Sequence, residues 1–173
     1  MTDQVLRGRQ VTLEPISELH AGVVRRILRT PEVWHRWGDD NIDATWPLEE
    51  TDEVRYAVQE SGVTVGLIQY GEELDPKYRH ANVDIFLDPK VHGRGLGRDA
   101  ITTLVNHLLG ARRHHRIVID PAADNEAAIR CYAAVGFQPV GRMRKYERDA
   151  SGQAWHDGIL MELIDQDVRA LAH

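Results

Sequence analysis

Apolar positions along this chain recur at two spacings, every second residue and every third or fourth, and their order lays out a series of strands and helices. "QVTLEPI" alternates as a strand, and Ser17 then caps a helix whose stripe is Leu19, Val23, Val24, Ile27 and Leu28. Thr30-Pro31 restarts a helix in "PEVWHRWGDD", since proline suits a first helical turn, and "WPLEETDEV" reads as another short helix. "RYAVQE" and "VTVGLIQYG" form a hairpin across Ser61-Gly62, and a polar loop through Asp75-Pro76 leads to the strand "HANVDIFLD". Alternation there puts Val83, Ile85 and Leu87 on one face and Asn82, Asp84 and Phe86 on the other. After a glycine-rich turn, Ile101, Leu104, Val105, Leu108 and Leu109 mark a helix with a stop at Gly110. "RIVID" is a short buried strand, and Asp124 or Asn125 opens the helix "EAAIRCYAAV", which ends at Gly136-Phe137. "QPVGRMRKYERD" and "AWHDGILMELI" close the pattern as two strands joined across "DASGQ". The expected fold class is α+β, one mixed sheet with covering helices.

With 173 residues, 42% hydrophobic and 28% charged, the chain has the size of one domain spanning residues 1–173. Its apolar runs are too short to cross a membrane, and "MTDQVLRGRQ" lacks a signal-peptide core, so a cytoplasmic location without membrane contact is expected. One cysteine, Cys131, excludes an internal disulfide and a CxxC zinc site; with no HExxH or EF-hand pattern, no metal is expected. A net charge of −6 argues against nucleic acid and favours a cationic partner. Asp39, Asp40, Asp43, Glu49, Glu50, Asp52 and Glu53 crowd one stretch, and Arg112, Arg113, His114, His115 and Arg116 another; both also suit solvated faces.

The turn "VHGRGLGRDA" carries Gly93, Gly95 and Gly97 between a strand and a helix. Glycines there let the backbone wrap an anion, and the first helical N–H groups, unpaired, aim a positive dipole end at it. Neither a Walker GK[ST] nor a Rossmann third glycine follows, which counts against a nucleotide-binding module, and a purely structural turn stays open.

Taken together, "HGRGLGRDAI" and "DNEAAIRCYAAVGF" resemble the two signature segments of the GNAT N-acetyltransferase superfamily, the first being its Q/R-x-x-G-x-G/A pyrophosphate loop with His92 in the leading position. The element order matches as well, over nearly the whole chain. The resemblance implies a mostly antiparallel sheet in which the strand Val83 to Leu87 splays from "RIVID" to make an acyl-coenzyme A cleft. It implies acetyl-CoA as co-substrate, held by His92, Gly93, Arg94, Gly95, Leu96, Gly97 and Arg98, with Asn125 beside the pantetheine arm. Tyr132 stands where the family places the acid that protonates the departing thiolate; by helix-face logic alone it reads as a core tyrosine. Cys131 reads as a small buried filler.

An amine must attack a thioester as its free base, so a nearby group has to take a proton. Asp84, mid-strand and opposite Val83, Ile85 and Leu87, is the first candidate for that base; a solvent-facing or salt-bridged aspartate is the alternative. "VWHRWGDD", "IDP" and "NVDIF" are similar to segments of aminoglycoside 6′-N-acetyltransferases. That likeness implies Trp37 as a stacking wall and Asp84 and Asp120 as ammonium ligands, with Asp40 in the acids that follow the tryptophan helix; Trp155 and Asp157, on the late strand that alternates through "HDGILM", are expected to complete the wall, and Trp34, Trp37 and Trp46 serve equally as core anchors. The expected activity is acetyl transfer to a small cationic amine, an amino sugar first, by a monomer or homodimer. Protein N-termini, polyamines or other small amines are the alternative acceptors, and an inactive acyl-CoA-binding module is the alternative of another class.

Overall fold

The computed structural model describes residues 4–39 and 42–167. Its alternating segments pair into one eight-stranded sheet in the order β1-β2-β3-β4-β5-β6-β8-β7. The strands are β1 (Leu6–Arg7), β2 (Val11–Pro15), β3 (Val54–Glu60), β4 (Val63–Glu73), β5 (His80–Leu87), β6 (Arg116–Ile119), β7 (Gln138–Arg148) and β8 (Trp155–Ile164). Every neighbouring pair is antiparallel except β5 and β6, which run parallel. The helices are α1 (Glu18–Leu28), α2 (Pro31–Trp37), α3 (Leu96–Gly110) and α4 (Glu126–Val135), as the mixed α+β reading anticipates. No helix among the described residues is long and apolar enough to cross a membrane.

The sheet's two faces carry separate cores. On one, Tyr56, Val58, Ile68, Tyr70, Val83 and Ile117 meet Leu96, Ile101, Leu104 and Leu108 of α3. Burying each such aliphatic side chain contributes about 1.5–3 kcal/mol, which holds α3 flat against β5. On the other face, Leu67 and Phe86 meet Val24, Ile27 and Leu28 of α1, Val33 of α2, and Trp46.

Two expectations need correction. Leu19 is 89% exposed; α1 instead buries His20, Ala21, Val24, Ile27 and Leu28. His20 takes the inward place because its ring is satisfied at both ends: Nδ1 accepts the Ser17 N–H at 3.2 Å and Nε2 meets Glu14 Oε2 at 3.2 Å. "WPLEETDEV" is not a helix but a run of turns and bends leading into β3. Asp43 starts it as a side-chain turn, accepting the Thr45 N–H at 2.7 Å. Arg25 Nε then donates to the Trp46 carbonyl at 2.6 Å. The nearly buried Arg55 guanidinium gathers the Pro47 carbonyl at 3.0 Å, Glu49 at 2.6 Å and Glu53 at 3.2 Å. These tertiary partners draw the segment inward at a cost no helix of its own would repay, since its acids are needed around Arg55.

Asp99, in the first turn of α3, accepts backbone N–H groups from Arg9, Gln10 and Val11 at 3.1, 2.7 and 2.9 Å. One carboxylate therefore ties the β1–β2 turn to the start of α3 and fixes the glycine loop that precedes it.

Candidate active site

β5 and β6 share only two paired positions, Ala81 with Ile117 and Asn82 with Val118. Beyond them β5 continues to Leu87 while β6 stops at Ile119, so the second half of β5 has no neighbour on that side. The gap opens a cleft of about 540 Å³. It gathers five candidates from four parts of the chain: Trp37 from α2, Asp84 from β5, Asp120 after β6, and Asn125 and Tyr132 from α4. Trp155 and Asp157 are not among its lining residues, and Asp40 lies outside the described residues.

Three acids face one another across this space: Asp84, Asp120 and Glu147. Each touches water through the cleft mouth, but the concave walls strip away part of its hydration. That loss pushes the Asp84 carboxyl well above the usual range, and the charges of Asp120, Glu147 and Glu53 push the same way. Desolvation also raises Asp120, opposed by a short hydrogen bond from the Tyr146 hydroxyl. Glu147 is raised by desolvation and then by Asp120, while His156 and Arg36 pull it back. A cation entering the cleft would relieve this mutual repulsion. No group of three or more His, Cys, Asp or Glu among the described residues is placed to hold a metal ion.

Trp37 is half-buried, its ring edge-on to Phe86 at 4.9 Å between centroids, so it is both a wall of the cleft and an anchor of the α1–α2 core. Asn125 is the N-cap of α4, its side chain accepting the Ala128 N–H at 3.3 Å. Tyr132 belongs to the α3-side core at 8% exposure yet lines the cleft on the far side of the sheet, so its hydroxyl end emerges where β5 and β6 part. Burial and then the Asp84 charge push its pKa far above that of a free phenol, keeping the O–H intact at all physiological pH. The hydroxyl has no protein hydrogen-bond partner among the described residues. Burial raises the Cys131 thiol as well, in keeping with a packing role.

The glycine loop runs from a short 3-10 turn, Pro89–Val91, into α3. Gly93 and Gly95 adopt φ of +76° and +80°, the left-handed region, and Gly95 is the N-cap of α3. The first intrahelical bond of α3 runs from the Asp99 N–H to the Gly95 carbonyl, and no side chain caps the end. The N–H groups of Leu96, Gly97 and Arg98 therefore lack helical partners, a donor set that fits a diphosphate. His92 donates Nε2–H to the Leu87 carbonyl at 3.2 Å, pinning the loop to the end of β5. Arg94 is engaged by Glu60 at 2.5 Å, while Arg98 is exposed and uncommitted. Replacing Gly95 with valine, whose branched side chain resists positive φ, is expected to weaken coenzyme A binding by roughly tenfold or more. Calorimetric titration of the folded variant checks this, and an unaltered affinity would detach the loop from the coenzyme.

Sequence reasoning missed Arg36, Asn82, Tyr146 and Glu147, which also line the cleft. The last two are neighbours in β7, where regular alternation would send them to opposite faces. The register slips between Met143, opposite Gly158, and Glu147, opposite His156, and Lys145 takes φ +48°. This bulge re-aims the strand, and Asp157 fills it, accepting the Lys145 N–H and Arg142 Nε, both at 2.8 Å. Asp157 thus shapes the wall rather than lining it. Trp155, 54% exposed, lies under the Arg148 guanidinium at 5.6 Å.

The acetyltransferase (GNAT) family matches residues 22–137. N-alpha-acetyltransferase RimI of Mycobacterium tuberculosis is 35% identical over 80 residues, 46% of this chain and 48% of that one, so the chain matches about half the length of that relative. Spermine/spermidine N(1)-acetyltransferase of Bacillus subtilis is 31% identical over 107 residues, 56% of this chain and 69% of that one. Among solved structures, the ribosomal-protein-S5-alanine acetyltransferase from Vibrio fischeri superposes with a TM-score of 0.79 at 20% identity, covering 95% of this chain and 98% of that chain, a likeness of fold. With the splayed strands, the glycine loop and the matched segment in agreement, the chain belongs to the acetyltransferase (GNAT) family.

Proposed function

We propose that this protein transfers an acetyl group from acetyl-CoA directly to a primary amine of a small acceptor carrying several positive charges. The observation that carries the acceptor class is the set of three carboxyls, Asp84, Asp120 and Glu147, lining one cleft with raised proton affinity. A single ammonium, as on a peptide N-terminus, neutralises only one of them; a polyamine or an amino sugar engages more. The likeness to a spermine/spermidine acetyltransferase favours a polyamine. Trp37 keeps an amino sugar as the second reading, with one aromatic wall where Trp155 would have given two.

Acetyl-CoA supplies an activated thioester. The N–H groups at the start of α3, with Arg98, hold its diphosphate, and the unpaired stretch of β5 and Asn125 receive its extended arm. Asp84 takes a proton from the acceptor ammonium, and Tyr132 donates one to the departing sulfur.

Thiol release is the test: spermidine and aminoglycosides are expected to outpace monoamines and N-terminal peptides at equal concentration. Release with peptides alone would discard the polycation pocket, and silence with every amine would discard the activity. Asp84→Asn gives a sharper check. The wild-type kcat/KM is expected to fall on the acid side from a pH well above the ordinary carboxylate range, and the variant should lose both that limb and most of the rate. The same change should raise the melting temperature at neutral pH. A carboxyl whose folded pKa is raised favours folding only while protonated, and that contribution is gone once pH passes the folded value.

A further inference from the structure

Acetylating R–NH3⁺ removes two protons from nitrogen. One ends on the coenzyme sulfur as the C–S bond breaks and the N–C bond forms; the other must leave the site in every turnover. An acceptor filling the cleft covers the mouth through which Asp84 meets water. A second, smaller cavity of about 20 Å³ adjoins the cleft and shares Arg36, Ala122 and Glu147 with it. Its size suits one water molecule, and all of its lining residues but Ala122 carry polar or charged side chains. His35 and His156 stand on its other side, their rings 6.1 Å apart.

Glu147 and His156 are directly opposed residues of β7 and β8, which places their side chains on the same face of the sheet. His156 Nε2 is sealed from solvent without a hydrogen-bond partner among the described residues, and the residue lines the small cavity. An imidazole can accept a proton at one ring nitrogen and release one from the other, so a buried, unpartnered nitrogen beside this cavity suits a relay. We propose that Glu147 and His156 form the exit for the proton released by acetyl transfer. Glu147 draws it from the carboxyls of the cleft, and His156 delivers it to solvent by way of the small cavity.

The charged groups around Glu147 fit this direction of flow. Asp84 on β5, Asp120 after β6 and Tyr146 on its own strand face it from the cleft. Arg36 and His35 on α2, Asp124 before α4, Arg148 and Asp149 at the end of β7 and His156 on β8 face it from the cavity. Asp120 on the cleft side favours proton uptake by Glu147, and His156 and Arg36 on the cavity side favour its release, Asp124 being engaged by Arg36. Arg36 is itself held by Asp124 at 2.9 Å, which keeps the guanidinium beside the passage.

This inference rests on the acetyl-transfer reading, and steady-state kinetics with the best amine from the thiol-release series separates the two. Because Glu147 also contributes to cation binding, His156 is the discriminating position. His156→Ala is expected to lower kcat roughly tenfold, a rise of about 1.4 kcal/mol in the barrier, with KM for the amine nearly unchanged. Imidazole added to the buffer should restore much of the rate to His156→Ala, whereas His156→Gln, which fills the space without an imidazole, should stay slow and gain nothing from it, both variants binding coenzyme as the wild type does. Adding His156→Ala to Glu147→Gln should cost nothing further, as expected for two steps in series. A His156→Ala enzyme with wild-type kcat across the pH range, or one altered only in KM, overturns the exit while leaving acetyl transfer standing. A wild-type protein that releases no thiol with any amine overturns both.

Discussion

Replacing Tyr132 with phenylalanine is expected to cut kcat by about a hundredfold or more, the scale of one lost general acid, while coenzyme A binds as before. The change removes one oxygen from a side chain that is otherwise core. Its ring packs near Phe137 at 6.4 Å between centroids and sits at 8% exposure, so the fold should hold. In the proposed mechanism the departing thiolate is left without the Tyr132 hydroxyl as its proton donor. Burial and the nearby Asp84 charge keep that hydroxyl protonated, which suits the proposed role of donor and not that of a base. Cys131, one residue earlier, is no substitute: its sulfur lies 3.9 Å from where a side chain on Gly97 would begin, at the start of α3. Rapid-mixing measurement of thiol release alongside coenzyme titration checks the prediction. Normal turnover would return Tyr132 to the core tyrosine that its helix face alone suggests.

How far the site was legible depended on the range of the interactions that make it. Asp84 and its neighbours could be assigned to faces of β5 because strand alternation is local, and the structure keeps Val83 buried and Asp84 in the cleft. The glycine loop and the α4 residues were legible for the same reason, since caps and turns are written in adjacent residues. Glu147 and Tyr146 were not. Their joint presence in the cleft depends on a bulge held open by Asp157, which is distant in sequence from Tyr146 and shows no local signal. The same limit hid the path of residues 46–53. Acidic residues at helix-like spacing there are collected by Arg55, whose Nε also donates to Gln69 on the next strand at 3.1 Å. The basic cluster after α3, readable as a solvated face, likewise contains a buried residue, His114, whose role appears only with its partner on β4.

That partner supplies the largest expected stability effect. Glu72, near the end of β4, accepts from Arg112 Nε at 3.1 Å and Nη2 at 2.5 Å, and meets His114 Nε2 at 2.6 Å. The His114 side chain is fully buried and that of Glu72 is 12% exposed. Glu72→Ala strands the imidazole and removes both hydrogen bonds of the Arg112 guanidinium, and breaking a buried pair from one side costs about 3–5 kcal/mol. Burial alone would raise the Glu72 carboxyl, but the bonds from Arg112 and His114 outweigh it and hold the group below its ordinary value. A depressed pKa gives stability that is complete above the unfolded value, about 4.3, and lost as pH falls through the folded one. The gap between wild type and variant should therefore be widest near neutrality and narrow in acid, as thermal unfolding at several pH values would show. A gap that persisted below the carboxylate range would assign the loss to packing instead. The consequence reaches the cleft, because Arg79 grips the carbonyls of Arg112 and Arg113 at 2.8 and 3.0 Å, and this clamp leads directly into β6. β6 touches β5 at only two positions before the strands part. Loosening the clamp frees the strand that forms one wall of the split, so Glu72→Ala should lower turnover more than it lowers coenzyme affinity, the glycine loop being held independently by Asp99 at the other end of α3.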